Sequence, residues 1–108
     1  MTIVAYVPDL MDRSKVASAA PGVTFARTTA ELMTAAADAS VIVVDLSRPG
    51  VLDALPALRA SVPASARIIG FGSHVEREVL EMARAAGCDD VLARSAFFSH
   101  LAELLNEA

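Results

Sequence analysis

The chain has 108 residues, 55% hydrophobic and only 5% aromatic, with 13 acidic against nine basic side chains and a net charge of −4. That length suits one domain over residues 1–108, and its apolar content can build a core of Val, Ile, Leu, Ala and Met without a disulfide or metal staple. The scattered basic residues argue against a nucleic-acid surface, and no apolar run approaches the roughly 20 residues of a membrane span.

Thr2 to Val7 is a compact apolar run that predicts a first strand, ended by Pro8-Asp9. No basic segment precedes it, so no signal peptide is expected. Asp9 or Asp12 can cap a helix over Leu10 to Ala20, with Met11, Lys15, Val16 and Ala19 as its inward stripe and Pro21-Gly22 as its stop. Val23 to Ala26 is a short second strand. Thr28-Thr29-Ala30-Glu31 is a capping box opening a helix to about Asp38, with Leu32, Met33, Ala36 and Ala37 facing inward.

Val41-Ile42-Val43-Val44 runs apolar without alternation, which suits a strand covered on both faces. Asp45 closes it, and Pro49-Gly50 breaks the chain. Val51 to Val62 carries Leu52, Leu55 and Leu58 at helical spacing, but Pro56 removes a backbone donor, so a kinked helix or one beginning near Pro56 is expected. Arg67 to Gly72 is a fourth strand. Ser73-His74-Val75-Glu76 forms a second capping box and predicts a helix through Val79, Leu80, Met82 and Ala83 to the Gly87 stop. Asp89 to Ala93 is a fifth strand, and Ser95 is placed to cap a last helix over Phe97, Phe98, Leu101, Leu104 and Leu105.

Strands and helices thus alternate five times. This predicts a three-layer α/β/α sandwich around a five-stranded parallel sheet, of flavodoxin-like order 2-1-3-4-5. The carboxyl ends of the strands then surround one crevice, where sites form in such sheets, and Asp45 stands there.

At this point the sequence resembles the receiver domain of response regulators. Gly87-Cys88-Asp89-Asp90-Val91-Leu92-Ala93-Arg94-Ser95-Ala96-Phe97 is similar to that family's Gly-Ala-Asp-Asp-aromatic-Leu-x-Lys-Pro-Phe segment. Asp45-Leu46-Ser47-Arg48-Pro49-Gly50 resembles the phosphoacceptor Asp followed by Leu-x-x-Pro-Gly. The resemblance implies Asp45 at the phosphoacceptor position, Mg²⁺ held by two acids after the first strand, a Lys that neutralises the phosphoryl group, a Thr/Ser relay and a switch aromatic.

Most of that set is altered. Val7 and Pro8 stand where the acidic pair belongs; Asp9 lies one position late and Asp12 a turn further on. Arg94 replaces Lys, Ser95 replaces Pro, Gly72 falls at the Thr/Ser position with Ser73 next to it, and Val91 takes the aromatic's place. The crevice set is therefore Asp9, Asp12, Gly72, Ser73 and Arg94 around Asp45, with no metal site and no cofactor expected; were Mg²⁺ bound at all, Asp9 and Asp45 would hold it.

Other signals are weaker. Gly70-Phe71-Gly72 resembles part of a phosphate loop but lacks its Lys-Ser/Thr, and a tight strand-to-helix turn is the plainer reading. His74 and His100 make no ligand pair with Cys88, and Ser47, His74 and Asp45 lack a nucleophile elbow. The sole cysteine fits a reducing cytoplasm.

The expectation is a non-enzymatic pseudo-receiver: a signalling module that works through protein–protein contact. Its partner is another protein, a histidine kinase or an output protein, or a second copy. The resemblance places the partner face on the fourth helix, fifth strand and fifth helix, with Val91, Phe97, Phe98 and Leu101. The alternatives are a receiver phosphorylated on Asp45 and a small flavodoxin-like ligand binder or enzyme.

Overall fold

The computed structural model describes residues 2–106. The β-branched runs form five parallel strands: β1 (Ile3–Tyr6), β2 (Thr24–Phe25), β3 (Val41–Asp45), β4 (Arg67–Gly72) and β5 (Asp90–Ala93). They pair in the order β2-β1-β3-β4-β5, as the alternation of strands and helices predicts. Ile42 of β3 stands between Val4 and Ile68, which fixes the central register. Successive side chains enter opposite layers, the period-two consequence of an extended chain.

Val4, Ile42, Val44 and Ile68 pack under α2 (Thr29–Ala35, continued by a 3-10 turn over Ala36–Asp38), α3 (Val51–Ser61) and α4 (Arg77–Ala86). Ile3, Ala5, Val41, Val43, Ile69 and Phe71 pack under α1 (Leu10–Ala19), α5 (Arg94–Ser99) and α6 (Leu101–Asn106). All five residues of β3 are buried, so Asp45 is carried to the edge of a fully covered strand.

Several local expectations are corrected. On α1, Leu10 and Met11 are 76% and 73% exposed, and the inward positions are Asp12 and Val16. Lys15 lies outside with Met11, and on α2 Ala37 is exposed while Leu32 and Ala36 are buried. On α4, Met82 is 57% exposed, and the buried position is Ala83.

Pro56 does not delay α3, which begins five residues earlier at Val51 and runs through the proline on its exposed side. Leu55 and Leu58, both fully buried, hold the helix against the sheet and offset the missing backbone bond.

The capping box at Ser73 does not form. The Ser73 hydroxyl accepts from the Val75 amide at 3.4 Å and its carbonyl accepts from the Glu76 amide at 3.1 Å, so residues 73–76 make a turn and α4 starts at Arg77. A hydroxyl satisfied two residues on is no longer free to cap three residues on. His74 is exposed in that turn rather than helical. Ser95 likewise caps nothing: it lies within α5, whose N-cap is Ala93.

The predicted single last helix is broken at His100. The Ser99 hydroxyl donates to the Ser95 carbonyl at 2.7 Å, and a His100 ring nitrogen meets the Ala96 carbonyl at 3.1 Å. These side chains take up carbonyls at the helix end. Gly70 and Gly72 are neither loop nor turn but lie inside β4, where a Cβ would come within 3.0 Å of Leu46 at Gly70 and 3.3 Å of Leu80 at Gly72.

Candidate functional site

β3 ends on Asp45, which is only 2% exposed. Its own loop satisfies it. Oδ1 accepts from the Ser47 amide at 3.0 Å and from the Ser47 hydroxyl at 2.6 Å, an Asx-type turn. Oδ2 lies 3.5 Å from Nε of Arg48, three residues on. In the sequence Ser47 was weighed with Asp45 only as part of a triad, and Arg48 did not stand out as its partner. The signal was there in their two- and three-residue spacing from a carboxylate that ends a buried strand.

Asp12 is the other buried carboxylate, also 2% exposed. The Nη2 of Arg94 donates to its Oδ1 at 2.5 Å, while its Oδ2 is buried with no hydrogen-bond partner. The hydrogen bond that Arg94 donates to Asp12 raises the Arg94 pKa above its ordinary range, and the charges of Asp12, Asp45 and Asp9 add to it.

Two rings steady the guanidinium, which lies 5.7 Å from the centroid of Phe71 and 5.2 Å from that of Phe98. Lys15 Nζ stands 5.1 Å from the same Phe98 ring. Phe71 is a member of the site the sequence did not single out; alternation along β4 puts it on the α5 face, stacked on Phe97 at 4.5 Å.

Asp9 takes the capping role that the sequence offered to it or to Asp12. It is the N-cap of α1, accepting from the Asp12 amide at 2.9 Å. That bond lowers its pKa, with the Met11 amide and the charges of Arg94 and Arg48 acting in the same direction.

Gly72 ends β4 in the crevice without a hydroxyl, and Ser73 spends its hydroxyl on the turn before α4. Val91 is half-buried and packs toward α4. Of the residues expected on a partner face, Phe97 and Leu101 are buried in the α5–α6 layer and Phe98 is half-buried against the same cluster. They are core side chains because α5 and α6 must cover β4 and β5.

The crevice residues do not fit a divalent cation. Such an ion needs several free oxygen ligands. Among the described residues no three acidic, His or Cys side chains gather to hold a metal. Asp12 is committed to Arg94, Asp9 to the α1 cap and Asp45 Oδ1 to Ser47. Two surface hollows of about 470 and 450 Å³ lie elsewhere: one beside Arg67, Leu92 and His100, the other beside Phe25, Ala30 and Thr34.

The fold is a five-stranded parallel α/β sheet of receiver- or flavodoxin-like order, with an acidic residue at the end of its third strand. No protein-family model matches the chain, and no curated protein matches its sequence. Solved structures match its fold. The chain is similar to the beryllofluoride-activated DrrB receiver domain, with a TM-score of 0.82 at 15% identity over 98% of this chain and 94% of that one.

A response regulator from Thermotoga maritima gives a TM-score of 0.77 at 15% identity, covering 98% and 94% of the two chains. HP1043, an orphan response regulator of H. pylori, gives 0.77 at 11% identity, covering 99% and 94%. At these identities the likeness establishes the fold. No helix among the described residues is long and apolar enough to cross a membrane.

Proposed function

We propose that this protein is a receiver-like signalling module that acts through protein–protein contact, is not an enzyme, and does not run a phosphorylation cycle on Asp45. The observation that carries this reading is the commitment of the crevice to itself. Asp12, the buried acid of α1, is paired with Arg94, which stands at the position of the cation that would meet a phosphoryl group. Asp45 is closed over by Ser47 and Arg48. Gly72 and Val91 supply neither relay hydroxyl nor switch aromatic, and the Gly72 Cβ position is already crowded by Leu80 at 3.3 Å. Its partner is another protein, a histidine kinase or an output protein, or a second copy meeting α4, β5 and α5.

The second reading is a receiver that is phosphorylated on Asp45. It is favoured by the unpartnered Oδ2 of Asp12, an oxygen of the kind a cation seeks. Incubation with Mg²⁺ and acetyl phosphate or beryllofluoride separates the two. The proposal expects no added mass and no amide shifts around Asp45. A saturable response that Asp45→Asn abolishes defeats it.

A further inference from the structure

α1 and α4 lie in opposite layers of the sandwich, and each turns to solvent an outward stripe that its own chain leaves uncovered. On α1 the stripe is Met11, Ser14, Lys15 and Ser18, at the i, i+3, i+4, i+7 spacing of one helix face. Its large side chains, Met11 and Lys15, stand beside the two small serines, and the four line a shallow hollow of about 430 Å³. Leu10, also exposed, extends the apolar end. The flanks are cationic. Lys15 Nζ and the Arg94 guanidinium share the Phe98 ring at 5.1 and 5.2 Å, and on the other side Arg13 lies over Phe25 at 4.8 Å. The one acid of this helix, Asp12, is buried, and the exposed carboxylate at its start is the N-cap Asp9.

The outward stripe of α4 has the same spacing and the opposite charge: Glu78, Glu81, Met82 and Ala85, all exposed. Arg77 and Arg84 occupy the neighbouring flank, where Arg84 donates to the Val91 carbonyl of β5 at 3.4 Å. Two α1 stripes would set cation against cation, and two α4 stripes acid against acid. α1 against α4 brings opposite charges together and gives each methionine a small-residue face to enter. We infer that this chain associates head to tail with a second copy, the α1 stripe of one molecule receiving Glu78, Glu81 and Met82 of the next. The inference rests on the reading of the protein as a module that works through protein contact, and it makes a second copy the partner. The two stripes belong to opposite layers, so the contact is heterologous: a growing assembly keeps a free α1 at one end and a free α4 at the other, and stays open unless the rotation closes a ring. Two ten-residue helices bury little area, at the low end below about 1,200 Å², so the contact is weak and its charges guide it.

The test is sedimentation velocity of the full chain at concentrations rising to the millimolar range, in low salt and in about 1 M NaCl, where charges are screened beyond about 3 Å. It compares the wild type, Met11→Glu/Lys15→Glu, Glu78→Lys/Glu81→Lys, and an equimolar mixture of the two variants. The wild type should sediment faster as concentration rises and lose most of that gain in high salt. Each variant alone opposes like charges and should bind itself at least about tenfold more weakly. The mixture, in which each variant supplies the face the other needs, should regain association.

A wild type that stays monomeric overturns the inference. So does association that salt leaves unchanged, that survives in either variant alone, or that the mixture fails to restore. If a double variant does not fold, the single changes Lys15→Glu and Glu81→Lys are read in the same way. Phosphorylation of Asp45 is read separately by acetyl phosphate. A monomeric wild type therefore leaves the proposed function standing, with a different protein as its partner.

Discussion

Cys88 shows how one buried side chain answers to its surroundings. It packs beneath α4 in the core cluster, and burial pushes its thiol from the ordinary 9.0 up to about 12, with the charge of Asp89 acting the same way. The folded state thus holds the proton where the unfolded chain releases it. Its contribution to stability is whole below pH 9 and is lost as pH rises from 9 toward 12. The loss runs at about 1.4 kcal/mol per pH unit. Urea unfolding across that window should show wild type losing its advantage over Cys88→Ala. Near neutral pH the native thiol should stay unreactive toward thiol reagents until the chain unfolds, since the protonated form is a poor nucleophile.

At the scale of elements, two features decide how the secondary structure is joined. Pro56 sits in the interior of α3 on its exposed side, where it withholds one backbone donor. Pro56→Ala restores that donor and should stabilise the protein by about 1–3 kcal/mol, read from the urea midpoint at unchanged slope.

The second feature is Asp89, at the turn between α4 and β5. Its Oδ2 accepts from the Ile68 amide at 2.8 Å and from Arg59 Nη1 at 2.9 Å, tying the start of β4, the end of α3 and the start of β5 together. Gly87, at φ +128, lets the chain turn there, where a Cβ would meet Arg59 Cβ at 2.9 Å. Asp89→Ala should cost about 1–2 kcal/mol in the same measurement, chiefly through the stranded Ile68 amide.

At the scale of the whole molecule, Phe71 and Phe97 are buried and Tyr6, Phe25 and Phe98 half-buried, while some large aliphatic side chains lie outside. Phe71, Phe97 and Phe98 form one cluster, whereas Leu10, Met11, Val75 and Met82 are exposed. If a partner or second copy covers the large apolar side chain that α4 leaves exposed, that side chain is Met82. Met82→Glu should then reduce association in sedimentation or pull-down experiments while leaving the unfolding midpoint within about 0.5 kcal/mol, since a solvent-facing position adds little to folding. Phe97→Ala, by contrast, should cost about 3–5 kcal/mol as a core deletion and reports on folding rather than contact.

The order of elements was legible in the sequence because it depends on patterns that act locally. An unbroken β-branched run such as Val41 to Val44 needs cover on both faces, and alternation of such runs with helices leaves a parallel sheet as the economical solution. The placement of Asp45 at one end of that sheet followed from the same reasoning, while Arg94 was singled out by the resemblance to receiver domains. What each of them bonds did not.

Whether Asp9 or Asp12 turns inward and whether Phe97 is surface or core are settled between segments far apart in the chain. The Arg94–Asp12 pair spans 82 residues, and no local periodicity encodes it. It forms because burial leaves the Asp12 carboxylate needing a counter-charge, and the packing of α5 over Phe71 and beside α1 brings a guanidinium within reach.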